Sequence, residues 1–176
     1  IISGESGAGK TETAKRFLQF LAYAATQGSG SSNEGLESRV IATSPLMEAF
    51  GNAQTVMNNN SSRYGKYLML QFDLSGKIMG ASIKTYLLEK SRVPFQAAGE
   101  RNYHIFYQLF HGAPSALRAE LRLGDDIESF DYLNQSGCTT VESINDVDGP
   151  ELSFKETMDA MAAMKISDDE RSFIFR

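Results

Sequence analysis

Gly4-Glu5-Ser6-Gly7-Ala8-Gly9-Lys10-Thr11 (GESGAGKT, residues 4–11) satisfies the pattern G-x-x-x-x-G-K-[ST]. Binding a chain of phosphates requires several backbone N–H groups aimed at one point, and side chains would obstruct that approach. Gly4, Gly7 and Gly9 permit the close approach and the positive φ angles it needs. A helix opening near Lys10 adds free N–H groups and the positive end of its dipole. Lys10 can then reach the β and γ phosphates, and the Thr11 hydroxyl can bind Mg²⁺. At ordinary residue frequencies a chain this long matches the pattern by chance only about once in 200. The loop therefore predicts nucleotide binding on an α/β fold.

Working outward, Ala14, Phe17, Leu18, Leu21 and Ala25 recur at helical spacing and predict a helix over about 10–26. Residues 27–35 (QGSGSSNEG) carry too little apolar surface to pack and read as a flexible loop. Leu36, Val40, Ile41, Met47 and Phe50 suggest a second helical stretch, which Pro45 breaks, kinks or restarts with Ser44 as cap. From Tyr64 the period becomes two, with Leu68, Leu70 and Phe72 opposite Tyr67, Met69 and Gln71. Leu74-Ser75-Gly76-Lys77 reverses the chain into a strand at about 78–88, so 64–88 reads as a hairpin. Helices are expected at 103–110 and 115–123, ended by Gly112 and Gly124. Capping boxes at Ser153-x-x-Glu156 and Ser167-x-x-Glu170 open two more, the first carrying Met158, Met161 and Met164 as core.

The chain has 176 residues, 41% hydrophobic and 22% charged, which suits one globular domain. Lys+Arg 17 against Asp+Glu 22 gives a net charge of −5, which argues against nucleic acid as the main partner. No stretch approaches the roughly 20 consecutive apolar residues of a spanning helix. A single cysteine, Cys138, makes no internal disulfide and fits a reducing compartment. Ile1-Ile2 is a short stub where a complete strand is expected, and the last capping box stands close to Arg176. Both ends read as cuts through an element, so a piece of a larger protein is expected.

A second polar run, Asn58-Asn59-Asn60-Ser61-Ser62-Arg63-Tyr64-Gly65-Lys66, stands just before the hairpin. By composition it is a surface loop of turn-prone residues. After a phosphate loop it gains another reading, because phosphoryl transfer needs a second segment to ligate Mg²⁺, orient water and sense the γ-phosphate.

GESGAGKTE followed by NNNSSRYGK resembles the phosphate loop and switch I of the myosin motor domain. SPLMEAFGNAQT (44–55), GASIKTYLLEKSRV (80–93) and GERNYHIFYQL (99–109) resemble the same family in order, and 113–152 less closely. The resemblance implies a P-loop NTPase-type fold with a mixed sheet, flanking helices and a β-hairpin, spanning 1–176 as an incomplete motor domain. It implies that Gly4, Glu5, Ser6, Gly7, Ala8, Gly9, Lys10, Thr11 and Glu12 bind ATP, with Lys10 on the β/γ phosphates. Thr11 and Ser62 would hold Mg²⁺, Asn58 would contact phosphate near the α position, and Ser61 would position water. Arg63 would pair with a glutamate of switch II, a segment of the form D-I-x-G-F-E that this chain lacks. Tyr64 stands where the family more often has phenylalanine. The implied function is Mg·ATP hydrolysis coupled to actin filaments, with light chains or calmodulin on a neck and a cytoskeletal location; without switch II the fragment alone is expected to be inactive. Glu12 reads equally well as an acid favouring the helix dipole. Asp125-Asp126-Ile127-Glu128-Ser129-Phe130 lacks the glycine that switch II needs, and His104 and His111 read as packing or surface residues rather than catalysts.

Two other readings compete. A generic P-loop NTPase or GTPase would use Asp73, at the end of an apolar strand, as its Walker B residue; no N-K-x-D guanine-reading motif accompanies it. A non-catalytic nucleotide scaffold would be favoured by an altered Lys10 or Thr11, and both are intact.

Overall fold

The computed structural model describes residues 1–28, 34–141 and 149–176. After the phosphate loop comes α1 (Lys10–Gly28), then α2 (Glu34–Gly51), followed by β1 (Asn52–Thr55), β2 (Asn58–Ser62), β3 (Gly65–Phe72) and β4 (Ile78–Tyr86). Four helices follow: α3 (His104–Gly112), α4 (Ser115–Glu120), α5 (Pro150–Ala163) and α6 (Asp168–Phe175). Of the loop expected at 27–35, residues 27–28 instead belong to α1 and 34–35 to α2, and residues 29–33 lie outside the described residues.

The expected mixed sheet does not form among the described residues. There are two separate two-stranded antiparallel sheets, β1–β2 and β3–β4. The reason is local connectivity: two residues join β1 to β2 and five join β3 to β4, and such short links permit only antiparallel pairing. The run 58–62, read by composition as loop, is thus a strand, paired Asn52 to Ser62 and Ala53 to Ser61.

The β3–β4 hairpin fulfils the expectation for 64–88. Asp73 follows β3 directly, and its Oδ1 accepts from the Ser75 N–H (2.9 Å), the Ser75 hydroxyl (2.7 Å) and the Lys77 N–H (2.9 Å). These bonds, the Ser75 hydroxyl first, hold the fully exposed Asp73 carboxyl below its ordinary pKa. Asp73 thus caps the hairpin turn, the role expected of it if it is not a Walker B residue. The alternation is muted: Leu68 and Leu70 are half-buried, but Phe72 is exposed along with Tyr67 and Met69.

The core lies among α2, α3 and α5, which pack on one another, with β1 laid against α3 through the bridge Ala53–Tyr103. One cluster joins Ala49, Ala53, Tyr103 and Ile105, and a second joins Tyr107, Phe110, Ile127 and Leu133. α2 continues unbroken through Pro45. Proline has no N–H for the Ile41 carbonyl, a cost of about 3 kcal/mol, but α3 and α5 pack against the helix. Met161 enters the core as expected, while Met158 and Met164 are half-buried. Along α1, Leu18 is buried whereas Phe17 is 58% exposed, so the expected stripe is narrower than its spacing suggests.

Two helix ends moved from their expected places or signals. α4 stops at Glu120 because Arg122 takes a left-handed φ of 55° and the Leu123 N–H closes back on the Arg118 carbonyl (2.9 Å). α5 starts at Pro150 rather than at Ser153, since proline fits the first turn, where no N–H partner is needed. The freed Ser153 is buried and its hydroxyl accepts from Gln108 Nε2 (2.9 Å), while Thr157 donates to Gln108 Oε1 (2.8 Å), stitching α5 to α3. The Ser167–Glu170 capping box forms as expected.

Gly51 closes α2 with the Tyr64 ring lying directly on its backbone, where a Cβ would collide with the ring edge. Gly51→Ala is expected to cost about 1–3 kcal/mol by forcing that ring away. The loss should shrink when Tyr64→Ala is added, read by denaturant unfolding of the intact protein.

Candidate functional site

The loop at 4–9 is exposed throughout and is shaped by two left-handed glycines, Gly7 (φ 81°) and Gly9 (φ 79°). A turn closes through Ala8 N–H to the Glu5 carbonyl (3.2 Å), and α1 takes its first bond from Thr13 N–H to the Gly9 carbonyl (2.8 Å). Lys10 Nζ reaches back over the loop, donating to the Gly4 (2.5 Å) and Glu5 (2.6 Å) carbonyls. Its cation therefore sits at the loop itself, beside the N-terminal end of α1. Thr11 is half-buried and Glu12 is exposed in the first turn.

The strand β2 brings the second motif to this loop. The Ser61 hydroxyl, in a residue only 4% exposed, lies 3.5 Å from the Ser6 hydroxyl, 55 residues away in sequence. A Cβ at Gly7 would come within 3.9 Å of the Met57 carbonyl at the turn between β1 and β2. Ser62 is exposed at the end of β2. Asn58 is half-buried, and its Oδ1 accepts the Asn60 N–H (3.0 Å), so that oxygen is engaged within the hairpin.

Arg63 links the site to the rest of the fold. Its backbone N–H bonds the Gly51 carbonyl (2.9 Å), one side-chain nitrogen donates to the Ser61 hydroxyl (3.1 Å), and Nε pairs with Glu89 Oε2 (2.6 Å). Here Arg63 has Glu89 of this chain as its carboxylate. Glu89 also pairs with the buried Arg92 (2.8 Å), which in turn meets Glu100 (2.9 Å). Burial pushes the Glu89 carboxyl up, but the bonds from Arg63 and Arg92 outweigh it and hold its pKa below the ordinary value.

On the other face of β2, Asn60 bonds Glu48, Asn52 and His104. His104 is 3% exposed, and burial, with the neighbouring Arg101 cation, lowers its pKa to about 3, leaving the ring neutral. Tyr64 shows the opposite response: burial, then the nearby Glu48 charge, pushes its hydroxyl up to about 12. Asn60, His104, Glu48 and Glu89 were not singled out from the sequence as site residues. The available signal was a lone histidine in an apolar helix, which needs polar partners when buried.

The residues present fit a magnesium nucleotide. The two left-handed glycines leave the loop backbone unobstructed, the one cation at its centre is a lysine, and the hydroxyl donors Thr11 and Ser62 are hard oxygens of the kind Mg²⁺ takes.

The model of the myosin head (motor domain) matches residues 1–176. The chain is 49% identical over 175 residues to a myosin-I heavy chain of Dictyostelium discoideum, covering 99% of this chain and 7% of that protein. It is 47% identical over 175 residues to unconventional myosin IC of Drosophila melanogaster, covering 99% of this chain and 16% of that one. With myosin-8 of Arabidopsis thaliana it shares 46% over 176 residues, or 100% of this chain and 11% of the other. The chain thus spans a small fraction of the relatives it matches. With a family model matched from its first residue to its last, the chain belongs to the myosin head family.

Proposed function

We propose that this chain is the triphosphate-holding part of an actin-based motor that hydrolyses Mg·ATP in the cytoplasm, on the cytoskeleton. The observation that carries the reading is the approach of Ser61 to Ser6, which brings β2 onto the phosphate loop. Phosphoryl transfer needs such a pair of segments, one to cradle the phosphates and one to order what attacks them.

In this reading the N–H groups of residues 4–11 and the α1 N-terminus hold the phosphates, with Glu5, Ser6 and Ala8 contributing backbone and Lys10 the charge. Ser61 orients water, and Thr11 would hold Mg²⁺, which when bound neutralises charge developing on the phosphate oxygens. Asn58 and Ser62, at the two ends of β2 on the face of Asn60, would meet phosphate and Mg²⁺ once the strand ends turn toward the loop. Arg63 fixes the Ser61 hydroxyl by direct donation and is itself fixed by Glu89. Actin filaments are the partner this family membership supports, with light chains or calmodulin on a neck as a further expectation. Among the described residues no helix is long and apolar enough to cross a membrane.

Three substitutions in the intact protein test the assignment. Lys10→Ala should weaken Mg·ADP and Mg·ATP binding by about 1.5–3 kcal/mol through loss of a charge-assisted contact, measured by nucleotide titration. Unchanged affinity would sink the phosphate-loop role. Arg63→Ala should leave nucleotide affinity within roughly threefold while slowing the hydrolysis step by about tenfold or more, read in single-turnover phosphate production. Equal losses in both would place Arg63 on the phosphates instead. Asp73→Asn should keep near-normal steady-state ATPase, because the carboxylate caps an exposed turn; a collapse of turnover would restore its Walker B reading.

A further inference from the structure

Behind β2, four polar side chains form an unbroken hydrogen-bonded chain from the start of α3 to α2. A terminal nitrogen of Arg101 lies 3.0 Å from His104 Nδ1, and His104 Nε2 lies 3.1 Å from Asn60 Oδ1. Asn60 Nδ2 donates to Glu48 Oε2 over 3.1 Å, and Asn52 Nδ2 adds a second donor to Asn60 Oδ1 at 2.9 Å. The direction is forced at both ends. A guanidinium only donates, so His104 Nδ1 accepts and the proton of the neutral ring sits on Nε2. A carboxylate only accepts, so the Asn60 amide nitrogen faces Glu48 and its oxygen faces His104. Arg101 and Asn52 are fully buried, and a reversed amide or ring would leave like groups facing one another without water to separate them.

The strand itself needs this help. Asn58-Asn59-Asn60-Ser61-Ser62 has no apolar alternation to fix which residues face the core, and its ladder with β1 is irregular between Ala53 and Thr55. Neighbouring residues of a strand point to opposite faces, so whatever fixes Asn60 on the helix side fixes Ser61 on the phosphate-loop side. A slip by one residue would exchange them.

We propose that the chain Arg101–His104–Asn60–Glu48 is a register clamp for β2, and that His104 is its positioning residue, holding the Ser61 hydroxyl toward the phosphate loop for hydrolysis. The clamp rests on the proposed ATPase reading for its consequence in turnover, but not for its existence.

The test uses the intact heavy chain that contains this segment. His104→Phe keeps a ring but removes both bonds. Without nucleotide, hydrogen exchange of the peptide spanning 56–64 should rise by about tenfold. The hydrolysis step should slow by about tenfold while Mg·ADP affinity stays within roughly threefold, a split that general loss of folding does not produce. A compensating pair tests the polarity. Asn60→Asp alone sets two carboxylates against each other and should slow hydrolysis comparably. Adding Glu48→Gln restores one donor facing one acceptor and should recover most of the lost rate. Unchanged exchange in His104→Phe, or no recovery in the pair, overturns the clamp. Failure of the ATPase reading shows separately, as Lys10→Ala leaving Mg·ADP affinity unaltered, because the exchange measurement needs no nucleotide.

Discussion

The absence of a side chain at Gly51 is the constraint on which the site depends. At that residue α2 ends and β1 begins, the carbonyl receives the Arg63 N–H, and the Tyr64 ring lies against the bare backbone. One helix end thus fixes both the departure of β1 and the return of the chain after β2. Between those two anchors only eleven residues run, 52–62, and they have no room to stray. The Ser61 hydroxyl is delivered to Ser6 by this short, doubly held excursion.

Around β2, charge is handled by sharing rather than by isolated pairs. Glu89 serves Arg63 and Arg92 together, Arg92 also holds Glu100 and the Arg101 carbonyl, and Arg101 lies over the Tyr107 ring at 4.1 Å. A buried guanidinium repays its desolvation only when several of its donors are met, which explains why these groups form a connected net. The net reaches from the phosphate-loop face of β2, through Arg63, round to the helix-side face, through His104. Both faces of the same strand are therefore held by the segment 89–104.

Much of this was legible from residues alone, for reasons that differ by element. GESGAGKT imposes its own geometry, since glycines at 7 and 9 supply left-handed backbone and the following residues are free to be helical. The α3 helix and the Ser167 cap were readable because apolar spacing and capping are local properties. The 64–88 hairpin was readable because its turn and its period agree. By contrast, Asn58–Ser62 carries no period, so its strand character could not be seen; it pairs because β1 is held beside it. Pro45 argued for a break that neighbouring helices override, and Ser153 offered a cap that Pro150 pre-empted.

By itself the sequence determined the chemistry of the phosphate loop, the family resemblance that names the second motif, and the helices whose spacing is self-sufficient. Only the tertiary structure decided which residues stand behind that second motif. Glu48, Glu89, Arg101 and His104 are spread over 57 positions (48–104), and no local pattern ties any of them to Asn60 or Arg63. Their roles arise from helices α2 and α3 packing on one another behind a short polar strand. Polar partners are chosen by proximity after burial, and proximity is a property of the packed chain rather than of the string.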